Sequence, residues 1–101
     1  MDRIEPDRLD LAREFKRSPL GPHSRELQKV LNIMRWMPTP GKPVVVHDGD
    51  SRKWCMGELS GKRGVRVTVF QEQCFDDIGE AFWQLFKIRW QRLTGATLDI
   101  D

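Results

Sequence analysis

This sequence is poor in the features that mark specialised classes of protein. It carries two cysteines, Cys55 and Cys74, whereas a secreted domain of this size that depended on disulfides would usually have four or more. Reduced thiols in a cytoplasmic protein are therefore expected. No apolar run approaches the roughly eighteen residues of a membrane span. The opening Met1-Asp2-Arg3-Ile4-Glu5-Pro6 is too charged for a secretory signal. There is no internal repeat, no low-complexity tract and no linker long enough to divide the chain. An excess of one charge is missing too. Seventeen basic residues face 15 acidic ones, a net charge of +2, far from the strongly basic balance of a dedicated DNA-binding domain.

Groups that could do chemistry are equally sparse. His23, Cys55 and Cys74 are well separated in sequence and His47 stands in no metal-ligand spacing, so no metal ligand, cofactor or catalytic residue is expected in this chain. The cysteines read as small buried residues. No serine or cysteine occupies a strand-turn-helix elbow, and neither histidine has a recognisable triad partner. The string Gly57-Glu58-Leu59-Ser60-Gly61-Lys62 resembles a phosphate loop only in passing: Arg63 stands where a Ser or Thr belongs, and a strand follows where a helix is required.

What remains is the composition of a globular domain, 39% hydrophobic and 32% charged over 101 residues, enough for one core. Pro6 to Arg17 has helical spacing at Leu9, Ala12 and Phe15, and the prolines at 19 and 22 end it. Ser24 is a plausible N-cap for a helix whose Leu27, Val30, Leu31 and Met34 form one apolar stripe, stopping near Met37. Val44-Val45-Val46 predicts a strand. Asp48-Gly49 then predicts a tight turn, with positive φ taken by the glycine, before a second strand from about Lys53 to Leu59. After Ser60-Gly61-Lys62-Arg63-Gly64, the alternation Val65-Arg66-Val67-Thr68-Val69 predicts a half-buried third strand. Asp77 and Glu80 read as the capping pair of a last helix reaching Thr94 before Gly95. The predicted fold is α+β: a single small domain with a three-stranded antiparallel meander packed by helices, in the order (α)-α-β-β-β-α. Residues 1–17 form an N-terminal extension with a short helix, and 18–101 form the αβββα domain.

Two surfaces are candidates for function. On the hairpins, Arg52, Lys53, Lys62, Arg63 and Arg66 accompany Trp54, a set that could track phosphates and stack on a base; a solvated sheet face is the plainer reading. The αβββα order is shared with double-stranded-RNA-binding domains, but Phe75-Asp76-Asp77 puts acid where that fold needs a lysine cluster. Nucleic acid is thus the alternative rather than the first choice. The second surface is on the last helix, where Ile78, Ala81, Phe82, Leu85 and Ile88 make one apolar face, and Trp83, Phe86, Trp90 and Leu93 widen it past what one packed face requires. That surplus either packs on the helix around Leu27 to Met37 or docks a second protein. For docking, Trp83 and Trp90 lie two turns apart on one edge, with Arg89 and Arg92 beside them as cations for a partner's carboxylates. Trp83, Arg89 and Trp90 are the partner-binding candidates.

Several motifs between Ser18 and Leu93 resemble the small subunit of bacterial N,N-dimethylformamidase. They are Pro19-Leu20-Gly21 leading into Ser24, Leu27 and Gln28, the turn Pro38-Thr39-Pro40-Gly41-Lys42, the helix opening at Phe75 and Ile78, and Phe86-Lys87-Ile88-Arg89. The resemblance implies a non-catalytic small subunit of an amide (C–N bond) hydrolase, in a hetero-oligomer whose larger catalytic subunit holds iron and the substrate pocket. These are scaffold motifs, and the resemblance assigns no catalytic or metal-binding residue to this chain.

Overall fold

A helix leaves its first amides without partners, and two of the three helices here begin where a side chain supplies one. In the computed structural model, which describes residues 4–98, the chain runs α1 (Leu9–Arg17), α2 (Arg25–Arg35), β1 (Pro43–Asp48), β2 (Lys53–Glu58), β3 (Thr68–Phe75) and α3 (Ile78–Thr94). Ser24 caps α2 by accepting from the Leu27 amide at 3.2 Å, and Asp77 caps α3 by accepting from the Glu80 amide at 3.1 Å. Gly95 closes α3 in the left-handed conformation, φ 77°, which glycine adopts without a steric cost. The order α-α-β-β-β-α and the antiparallel sheet β1-β2-β3 are as the sequence predicts.

Three local differences have physical causes. Helix α1 starts at Leu9 rather than Pro6, because a turn closed by the Arg8 amide on the Glu5 carbonyl comes first. In the β1–β2 turn, positive φ falls on Arg52 (60°) and not on Gly49. Asp48 organises that turn, accepting from the Asp50 amide at 3.2 Å and from the Ser51 hydroxyl at 2.8 Å. The third strand begins at Thr68 and extends to Phe75, leaving Val65 exposed. Its far end is set by cross-strand pairing of Cys74 with Cys55, which form a disulfide. The expectation of reduced thiols is thereby corrected: a pattern read along the chain could not place these two residues opposite one another.

The broad apolar face of α3 serves two clusters. Phe86 and Trp90 join Leu11, Ala12, Phe15, Leu27, Val30 and Met34 between the helices. Ala81 and Leu85 join Met56 on the sheet side, flanked by Val45, Trp54, Phe70, Phe75 and Ile88. Helix α1 belongs to the first cluster through three buried residues, so residues 9–17 share a core with α2 and α3. Burial of this kind contributes roughly 1.5–3 kcal/mol per large side chain. Among the described residues no helix is long and apolar enough to cross a membrane.

Candidate partner interface

The surplus arc of α3 places its three named residues in three different environments. Trp90 is wholly buried at 0% exposure, the largest fully buried side chain of the domain. It presents no surface to a partner in this fold, because α1, α2 and Leu98 cover the arc to which it belongs. Trp83 keeps partial exposure. Its ring stacks near Phe15 and Phe86, with the Lys16 and Lys87 ammonium groups 5.9 and 5.5 Å from its centroid. A groove of about 510 Å³ runs beside it, lined in part by Pro19, Leu20 and Gly79, and Leu20 is 64% exposed there.

Arg89 is half-buried and donates from Nε and Nη2 to the Pro43 carbonyl at 3.2 and 2.9 Å. Arg92, one turn on, donates to the Gly41 carbonyl and pairs with Glu58 at 2.6 Å. Together they tie the loop before β1 to the end of α3. The same loop is fastened to the sheet by the Gly41 amide on the Leu59 carbonyl at 2.7 Å and the Leu59 amide on the Lys42 carbonyl at 3.0 Å. Gly61 completes the arrangement: a Cβ there would lie 2.6 Å from Pro40 Cγ, so only glycine lets the two turns meet. This gives the Pro38-Thr39-Pro40-Gly41-Lys42 motif a physical role, since it locks the helix end, the loop and the β2 end into one block.

That block brings Arg35, Lys42 and Arg89 together, a cluster the sequence reading missed. The Lys42 ammonium donates to the Arg35 carbonyl at 2.6 Å. Burial, and then the charges of Arg89 and Arg35, hold it below the ordinary lysine pKa. Burial, followed by Arg35, likewise lowers Arg89. Arg35 and Arg89 line a cavity of about 270 Å³ between α2 and α3, walled by Leu31, Met34, Phe82 and Phe86. The next residue, Trp36, is 85% exposed. One signal was available, since an Arg-Trp pair closing a helix beside prolines falls off the apolar stripe of α2 and has no role in its core.

The hairpin cations do not form one face. Arg52 lies in the turn before β2, while Lys62, Arg63 and Arg66 are exposed in the segment after it. A six-residue strand separates them, roughly 17 Å of backbone. Lys53 approaches Asp76 at 3.8 Å. The Trp54 ring tilts against His47 at 4.5 Å and packs on the Met56 cluster, so it is no free platform for a base. Neither this geometry nor the family match below supports the nucleic-acid alternative.

The described residues of this chain do not fit a resident iron. Both cysteines are in the disulfide, His23 Nε2 is bonded to the Ser18 carbonyl at 2.9 Å, and no group of three or more potential ligands comes together among the described residues.

The N,N-dimethylformamidase alpha subunit family matches residues 3–99 of the 101. The chain belongs to this family. A comparison with curated proteins finds no match. Membership identifies the chain as a hydrolase subunit, and the match takes in α1, which packs with α2 and α3, as well as the αβββα region.

Proposed function

We propose that this chain is the small, non-catalytic subunit of a two-chain amide hydrolase, and that it stabilises a larger subunit holding iron and the substrate pocket. The observation that carries the reading is the family match over nearly the whole chain to a subunit of an amide-cleaving enzyme. The chemistry on the page supports it from the other side. The two histidines, packed against Phe15 and Trp54, and the paired cysteines are taken up by structure. Surface of the kind that binds protein is retained at Leu20, Trp36, Trp83 and Arg89. Of the three residues first marked for the partner, Trp83 and Arg89 keep that assignment and Trp90 supports them from within.

The test is co-expression with the larger subunit and measurement of formate release from N,N-dimethylformamide by the pair and by each chain alone. The pair is expected to hydrolyse the amide and the small chain alone to be inactive. The larger chain without it should lose activity faster on warming. Amide hydrolysis by the small chain alone, or unchanged heat resistance of the larger chain without it, would refute the proposal.

A further inference from the structure

We propose that the cleft between α2 and α3, lined by Arg35 and Arg89 with Lys42 beside them, receives a carboxylate side chain of the larger subunit, with the neighbouring Trp36 making an apolar contact. This rests on the two-chain reading and names the surface that would join the chains.

The first argument is charge. Among the described residues the ion pairs use Arg8, Lys53 and Arg92, and none uses Arg35, Lys42 or Arg89. Lys42 and Arg89 direct hydrogen bonds at the carbonyls of Arg35 and Pro43, which fixes their positions without neutralising them. Lys42 and Arg89 are part-buried and Arg35 is exposed beside them, and like charges so gathered oppose one another. An incoming carboxylate relieves that opposition, and a guanidinium fork is well shaped to hold it.

The second argument is size and lining. The cavity of about 270 Å³ has walls from Leu31, Met34, Phe82 and Phe86 below its two arginines. It lies at the lower edge of the roughly 300–1,000 Å³ typical of small-molecule pockets. It suits an acidic side chain with an apolar neighbour on the same segment. Trp36, which follows Arg35 in the chain, is 85% exposed, and tryptophan with arginine is the composition most often found at the energetic centre of protein interfaces. A protein segment uses all of these features, whereas a free carboxylate would leave Trp36 uncovered.

The experiment uses the co-expressed pair. Arg35→Glu and Trp36→Ala alter exposed side chains, and circular dichroism checks that each variant keeps its fold. Arg35→Glu should weaken association at least about thirtyfold, the scale for reversing one member of a dehydrated charge pair, and Trp36→Ala should weaken it about tenfold. Arg35→Lys should retain most of the binding, and Arg63→Glu, on the exposed β2–β3 segment, all of it. Carbodiimide, which joins an amine to a carboxylate, should link Lys42 to an Asp or Glu of the larger chain. Equal association of Arg35→Glu and wild type would overturn the proposal while leaving the two-chain reading intact, as would a Lys42 side chain that forms no cross-link in the intact pair. Failure of the wild-type chains to associate would remove both. Tight binding of phenylpropanoate by the small chain alone, with association insensitive to Arg35→Glu, would make the occupant a small molecule and also overturn it.

Discussion

Trp90 shows how one side chain can hold three helices together. It touches the cluster built from α1, α2 and α3, and its indole Nε1–H has no acceptor among the described residues. The ring's contribution is therefore bulk. Truncation by Trp90→Ala should cost about 3–5 kcal/mol, a large share of the roughly 5–15 kcal/mol that stabilises a domain of this size. Trp90→Phe, which keeps most of the volume and removes the unpaired donor, should cost clearly less. Urea unfolding of the two variants checks the order, and a phenylalanine variant as weak as the alanine one would show that the nitrogen matters. Glu14 acts by charge instead. It accepts from the Ser24 amide and hydroxyl, both at 2.7 Å, and these bonds hold its carboxyl below the ordinary value of 4.5. A carboxylate lowered in the folded state adds stability that is fully present above that ordinary value and disappears as pH falls through the folded one. Glu14→Gln should accordingly lower the neutral plateau of a plot of stability against pH and converge with the wild type in acid, so that its acid limb is shallower. Thermal melts across that range would detect it.

Among the elements, β3 departs most from its local pattern. Register opposes Trp54 to Phe75 and Cys55 to Cys74, then Gly57 to Val69 and Glu58 to Thr68, so β3 bulges between the two pairs. The Cys74 sulfur sits over that bulge, 3.3 Å from the Gln71 carbonyl. A disulfide closing a separation of 19 residues typically contributes about 2–4 kcal/mol. Intact mass is expected to rise by two hydrogens on reduction, with no thiol labelled beforehand. Cys74→Ala should lower stability by that amount and loosen β3 first, seen as faster amide exchange at Val69 to Phe75. Free thiols in the untreated protein would disprove the pairing. Helices α2 and α3 were legible because Ser24, Asp77 and Gly95 are local signals that act where they stand. The third strand was legible only in part. The alternating valines from Val65 to Val69 report what could be buried, whereas the register reports where Cys55 lies, and that depends on a residue across the sheet. The cleft of Arg35 and Arg89 was hidden for the same reason, since two helices distant in sequence must meet before it exists. Trp83 and Trp90 share an edge by spacing, yet only the positions of α1 and α2 along α3 separate the half-covered ring from the buried one.

At the scale of the molecule, the two apolar clusters meet in a single element. Helix α3 gives Phe86 and Trp90 to the helical side and Ala81 and Leu85 to the sheet side, and Arg89 and Arg92 near its end clamp Pro43 and Gly41 at the start of β1. During synthesis this element leaves the ribosome after the helices and strands it supports. Until then α1 and α2 lack the wall they close against, and the hairpins lack the cover that makes one face of a three-stranded sheet stable. The nascent domain has no half that can settle early. A ribosome stalled before α3 would carry a chain with both apolar faces open, a substrate for chaperones and proteases rather than a partly finished subunit.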